Sequence, residues 1–444
     1  MKLIMAVVFF SFSRLNAQYT VEKAVSDAVN SSNLIKSYDY KVKEAEHNLK
    51  EADYSKYGIL NLKALYTKGD EPVYAFASKM RQGEFSMADM MKINNPDSID
   101  NLELAIEAGV PLFTGFKLEN YKKMSGINIE ANKKITEEVK NGIKFQAIYS
   151  YLTAVMYKSL LSLSSSTISS SEIELSSAKK LNEKGMIFGS DYYAALSIYE
   201  FIKKYDTEWK NSFEREIRSL SVLTGKNISQ NDIKSILKEY EWKTESKDFY
   251  INYALKNRNS LKAYDDYINI REIQKEINKN SILPEVVAFA SLSGNSGSLS
   301  DMRTSSIYGI KMNMPIGDPT YFAKIDKSEA ILNQTKELKN DEVRKISDEI
   351  EKTYSDMLSA YESMKIAKNA VLNAENSLEL FKPLYRQGKQ SIMEVLRAES
   401  NLLQAKASYY EAIFKYNLFY AKLRYLTQTL DERFIKDLTD KISE

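Results

Sequence analysis

LYRQGKQSIMEVLRAESNLLQAKASYYEAIFKYNLFYAKLRYLT, residues 384–427, decides the fold. After its glycine it reads as one unbroken helix. Val395, Leu402, Tyr409, Tyr416 and Leu423 recur every seven residues. Ala398, Ala405, Ala412, Phe419 and Leu426 form a second seven-spaced row, three residues behind the first. Two such rows make the seam of a coiled coil, so this helix is expected to lie along another long helix. The three alanines nearest the turn allow close backbone approach and a narrow tip.

The stretch has a twin. LNEKGMIFGSDYYAAL, from Leu181, aligns with LYRQGKQSIMEVLRAE at a constant offset of 203, so that Leu181 meets Leu384, Gly185 meets Gly388 and Asp191 meets Glu394. The register still holds where Leu223-Thr224 meets Leu426-Thr427. An ungapped repeat of this length argues for internal duplication.

Composition agrees with long helices. The chain has 444 residues but only 15 glycines and 7 prolines. Lys+Arg is 62 against 60 Asp+Glu, so no charge excess points to nucleic acid. There is no cysteine, which excludes disulfides and a lipid-modified cysteine. Residues 1–17, with Lys2, an apolar run at 3–12 and Leu15-Asn16-Ala17, have the pattern of a secretory signal peptide. Beyond them no apolar run reaches the roughly 18 residues of a membrane-spanning helix.

Working outward, residues 21–56 read as a helix. Leu60, Leu62, Ala64 and Tyr66 then alternate with polar residues, as do Leu102, Leu104, Ile106, Ala108, Val110 and Leu112. Residues 70–101 between these strands read as a long outer loop. Residues 117–183 form a helix of about 65 residues, roughly 100 Å at the α-helical rise. Gly185 and Gly189 make its turn, and a shorter helix returns to Thr224. The second half repeats this order, with strands at about 283–293 and 305–316 and a long helix from Tyr321. IKSYDY from Ile35 matches LKAYDD from Leu261 at offset 226, whereas GVPLFTG matches NMPIGDP at 204. The first strand connection therefore holds 22 more residues than the second. The expected organisation is a signal peptide (1–17), a first repeat (18–224), an equatorial segment (225–249), a second repeat (250–427) and an equatorial tail (428–444). The fold class is mainly α with a small β part.

Each strand has about ten residues with one apolar face, the span of an outer-membrane β-strand. The other face carries Lys63, Glu103, Glu107, Lys311 and Asn313, too polar for a dry core, and these are the expected lumen residues. Four strands cannot close a barrel, and lipid does not tolerate an open edge, so several chains must contribute. Three copies give twelve strands and room for a conduit. A soluble sheet with one solvated side is the other reading of the same pattern.

The duplicated strand-end motifs GVPLFTG (109–115) and NMPIGDP (313–319), with the duplicated tips EKGMIFGSD (183–191) and YRQGKQSIMEVLRAESNLLQA (385–405), resemble the TolC-type outer-membrane efflux and secretion channels. The resemblance covers nearly the whole chain after residue 17. It implies a homotrimer, a twelve-stranded barrel in outer-membrane lipid and an α-helical periplasmic tunnel. It also implies docking to a periplasmic adaptor and an inner-membrane pump of RND or ABC type, in tripartite efflux or type I secretion. Gly185, Gly189, Gly388 and Lys389 fall at the adaptor-contacting turns. The family's acidic gate ring maps to Glu394 and Asp191, and its gate tyrosine to Tyr385. Arg397 stands where some members have a second acid, and Gln390 where some have arginine. No enzyme motif, cofactor or metal site is expected. His47, the single histidine, lies in a charged helix and reads as a surface residue. The serine-rich run 162–171 reads as a solvated face. A periplasmic coiled-coil adaptor or scaffold without a membrane barrel is the alternative function.

Overall fold

The computed structural model describes residues 18–298 and 301–442. Residues 1–17, expected from their sequence pattern to be a signal peptide, lie outside them. The first repeat runs α1 (Val21–Ser31), α2 (Asn33–Tyr54), β1 (Ile59–Gly69), α3 (Pro72–Gln82), α4 (Met87–Met91), β2 (Ile99–Thr114), α5 (Lys117–Glu183) and α6 (Gly189–Thr224). The second runs α7 (Lys247–Asn257), α8 (Asn259–Lys279), β3 (Glu285–Ser296), β4 (Arg303–Asn313), α9 (Tyr321–Arg386), α10 (Ile392–Leu426) and α11 (Glu432–Ile442). No described helix is long and apolar enough to cross a membrane.

Compactness divides the chain differently from duplication. One unit takes residues up to 38, 135–261 and 340–444, and the other takes 39–134 and 262–339. Each unit draws on both repeats.

The second unit holds an antiparallel sheet of order β1-β2-β3-β4. Its register places Leu60, Leu62 and Tyr66 opposite Ala108, Ile106 and Leu102. Ile106 and Ala108 in turn meet Leu292 and Ala290, and Ala290 meets Tyr308. These apolar side chains share one face because alternate strand residues point the same way. That face is solvent-exposed, with Leu62 at 80% and Tyr308 at 82%. A bulge between Pro111 and Phe113 skips Leu112 and brings Phe113 opposite Val286. Leu112 therefore leaves the face expected from strict alternation. Gly58, at φ 78°, leads into β1, and a Cβ there would stand 1.9 Å from the Gly109 carbonyl oxygen.

Three expectations are corrected. The helix read over 21–56 breaks at Ser32, whose hydroxyl accepts from the Ile35 amide. The matching break falls at Arg258, the counterpart of Ser32 in the alignment that pairs Ile35 with Leu261. In both, the breaking amide bonds the carbonyl of the residue one turn earlier, Ala28 or Ala254. Second, the outer loop 70–101 is not irregular. Glu71 caps α3 through bonds to the Val73 and Tyr74 amides, Pro72 opens it, and left-handed Gly83 ends it. Third, the tail, whose sequence reads as polar and outside the seven-residue rows, is amphipathic: α11 buries Phe434, Ile435, Leu438 and Ile442 along one face.

The first unit is a helical bundle whose core includes Tyr151, Ile148, Leu152, Ile350 and Met357. Segment 225–246 is pinned to it by Trp242, which stacks on Tyr420 at a centroid distance of 4.5 Å and donates its indole N–H to Asn417 Oδ1 at 2.9 Å. The Trp242 amide donates to Tyr416 Oη at 3.1 Å, and Lys441 Nζ sits 3.8 Å from the Trp242 ring centroid. Truncation of Trp242 to alanine should therefore cost about 3–5 kcal/mol. The expected result is a lower midpoint in denaturant unfolding followed by circular dichroism, with helix content at zero denaturant unchanged.

Candidate gate and sheet surface

Both hairpin turns are built from the same hydrogen bonds. Gly185 donates to the Asn182 carbonyl and Met186 to that of Leu181. Gly388 donates to the Tyr385 carbonyl and Lys389 to that of Leu384. The two pairs are related by the offset of 203. Gly185 and Gly388 have φ of 71° and 70°, the left-handed geometry that ends a helix and that glycine adopts without strain. Around the turns, Ala178, Ala195, Ile392, Val395 and Leu396 form a small buried cluster flanked by Leu378, Phe381 and Tyr385.

The structure places the expected gate residues as follows. Glu394 lies in the first turn of α10, where Ser391 Oγ accepts from its amide. A carboxylate there is favoured by the helix dipole. Its Oε1 is 3.4 Å from Arg397 NH1, one turn along the same helix. Asp191 holds the corresponding place in α6 and bonds the Phe188 carbonyl through its amide. Lys389, Gln390 and Gly388 are exposed at the turn. Gly189 begins α6 rather than making the turn. Tyr385 does not join the acidic pair: its hydroxyl is buried in the cluster without a hydrogen-bond partner. Burial, with the charge of Glu174 nearby, raises its pKa.

A buried polar cluster adds a site that the sequence reading missed. Glu399 is 2% exposed. It accepts from Ser170 Oγ at 2.6 Å and from Ser171 Oγ, and pairs with Lys382 Nζ at 2.9 Å. Three helices, α5, α9 and α10, thus meet on one carboxylate. Pro383 follows Lys382 directly and removes one backbone bond from the last turn of α9. The serine run expected to be solvated is therefore two-sided. Ser165, Ser166 and Ser169 are exposed, while Ser164 and Ser171 are fully buried. Ser164 donates to Asp206 Oδ1 at 2.6 Å. The signal available in the sequence was the seven-residue spacing of small residues, Ser164, Ser171 and Ala178.

The five expected lumen residues all fall on the sheet face opposite the apolar one. Lys63 and Glu103 form a 3.3 Å ion pair there. Glu107 meets Asn61 and Ser291, Lys311 meets Val287, and Asn313 meets Glu285. His47 is exposed on α2. Among the described residues no group of three His, Asp or Glu could hold a metal.

The fold is that of known outer-membrane channels. The Campylobacter jejuni CmeC outer membrane channel superposes with a TM-score of 0.76 at 12% identity, covering 95% of this chain and 90% of that one. The open state of the Neisseria gonorrhoeae MtrE outer membrane channel gives 0.75 at 10%, covering 93% and 89%. The outer membrane protein VceC of Vibrio cholerae gives 0.72 at 15%, covering 92% and 95%. No curated protein matches the chain by sequence. The family model described as outer membrane efflux protein matches residues 250–432, which is the second repeat. The chain therefore has the fold of these outer-membrane channels, and its second repeat matches the outer membrane efflux protein model.

If the Glu399 cluster holds the tip helices together, Glu399→Ala should loosen them by about 2–3 kcal/mol, since it strips a partner from buried hydroxyls and from Lys382. Glu399→Gln keeps the volume and one acceptor oxygen and should cost less. Amide hydrogen exchange in the helix turns flanking residues 170 and 399 reads the difference.

Proposed function

We propose that this protein is the outer-membrane exit duct of an efflux or secretion assembly. It works as a homotrimer and conducts passively from a periplasmic adaptor and an inner-membrane RND or ABC pump. It performs no chemistry of its own. The observation that carries the reading is the four-stranded sheet, with one exposed apolar face, one polar face, and β1 and β4 each lacking a second neighbour among the described strands. Lipid tolerates the apolar face but not the open edges. Pairing β4 of one copy with β1 of the next satisfies both edges, and three copies give twelve strands around a wet lumen. The outer membrane channels of the same fold support that arrangement.

In this reading the duplicated turns form the periplasmic gate. Three copies bring rings of Asp191 and Glu394 together, and like charges in a narrow pore attract cations. Arg397 offsets this, because it shares the carboxylate of Glu394. The exposed turn residues Gly185, Gly388 and Lys389 are the places an adaptor would meet.

Purified full-length protein tests the proposal. A trimer in detergent that gives ohmic, cation-selective steps in planar bilayers is expected; a soluble monomer that never conducts would reject it and favour the scaffold alternative. The gate assignment carries its own sign test. Glu394→Gln should weaken block by multivalent cations, by about tenfold or about 1.4 kcal/mol, and Arg397→Ala should strengthen it. Unchanged block in both variants would remove these residues from the constriction.

A further inference from the structure

We propose that residues 70–98 form a second constriction at the outer end of the conduit, by folding α3 onto the lumenal face of the sheet. The inference rests on the barrel reading above, because only a closed barrel turns the polar face into a lumen.

The placement of α3 is set by its contacts. Ala75, Ser78 and Gln82 are its buried face. Tyr74 donates from its hydroxyl to Thr67 Oγ1 at 2.8 Å. Gln82 Nε2 donates to the Asp100 carbonyl at 2.8 Å and to Asn101 Oδ1 at 2.9 Å. Asn101 passes the chain on to Asn295 Oδ1 at 3.1 Å. Thr67, Asn101 and Asn295 all lie in register with Lys63, Glu103 and the rest of the polar face, not with Leu62 and Ile106. Burial gives the same answer. On β2, Asn101 and Ala105 are buried while Leu104 and Ile106 on the opposite face are exposed.

The insertion is built to hold this position. Asn101 and Asn295 are 3% and 1% exposed, and a buried amide pair bonded to Gln82 and to each other would be costly to uncover. Behind α3, Asp89 pairs with Lys79 and accepts from Ser86, and these contacts hold its carboxyl down to about 2. Phe76 and Phe85 meet edge to face at 4.6 Å. The side turned away from the sheet carries exposed Met80, Met87, Met90 and Met91. Flexible thioether side chains suit a surface that repacks against copies of itself. The second hairpin, by contrast, joins β3 to β4 through residues 297–302, too short a connection to carry a helix inward. Three copies of the insertion therefore narrow the mouth that the strands alone would leave open, and set an upper size for what passes there.

The chain has no cysteine, so single cysteines report access cleanly. Ser291→Cys lies on the polar face opposite Glu107, deeper than α3, and Leu62→Cys lies on the apolar face. Intact cells displaying the full-length protein are treated from outside with a small maleimide and with a polymer-linked maleimide. The small reagent should label Ser291→Cys, the large one should not, and replacement of 70–98 by the 297–302 connection should admit both. A double variant, Tyr74→Ala with Gln82→Ala, keeps the insertion but cuts its tethers and should shift access the same way should the deletion not assemble. Equal labelling by the large reagent with the insertion intact would overturn the constriction and leave the barrel standing. Failure of the small reagent to reach Ser291→Cys in the deletion variant, or ready labelling of Leu62→Cys, would overturn the face assignment and the inference with it.

Discussion

The constraint beneath this architecture is that backbone amides and carbonyls facing hydrocarbon must be paired. Within the sheet, β2 and β3 are paired on both sides, while β1 and β4 are paired on one. The apolar faces of the strands are largely exposed, so no described element of the chain covers them. A single protomer therefore presents two demands, edge partners and an apolar solvent, which the proposed assembly of several copies in a bilayer is meant to meet. The helices have the opposite character. Their backbone bonds are internal, and the first unit buries a core of its own helical side chains.

Duplication is visible at the level of individual hydrogen bonds. The two tip turns share one bonding pattern, and the kinks at Ser32 and Arg258 share another. The copies then diverge where function would ask it. The first tip has an exposed Met186 and Phe188 where the second has Lys389 and Ser391, and only the second uses a serine cap. The first strand connection has grown two helices, and the second has stayed short. Symmetry supplies the frame, and the departures from it fall at the proposed gate and the proposed mouth.

Much of this was legible in the sequence because two periods dominate it. The seven-residue rows of α10 predict part of its buried face: Val395, Ala398, Ala412, Tyr416, Leu423 and Leu426 are buried, Leu402, Ala405, Tyr409 and Phe419 are half-buried, and Leu396, Leu403, Ile413 and Tyr420 are buried outside the rows. The two-residue alternation of the strands predicts their faces until the bulge at residues 111–113 shifts the register by one. What escaped was non-periodic. Helix α3 is short and flanked by proline and glycine, so its punctuation read as loop although the same residues are caps. Ser32 breaks a helix with no proline or glycine to announce it. Glu399 looks like any charged helix residue until the serines of α5, which belong to the other repeat, are brought against it. In the same way Tyr385 falls on a family gate position, yet its hydroxyl points into apolar packing, a placement that spacing alone does not reveal.

The entry to β1 has one more consequence. At residue 58 the backbone passes so close to the Gly109 carbonyl that the next larger side chain, a single methyl group, has nowhere to go. The helix that precedes the sheet and the strand that begins it are thus joined through a hydrogen atom's worth of clearance. Drift at this position is closed to every other amino acid, however tolerant the surrounding exposed apolar surface is of exchange among leucine, isoleucine and valine.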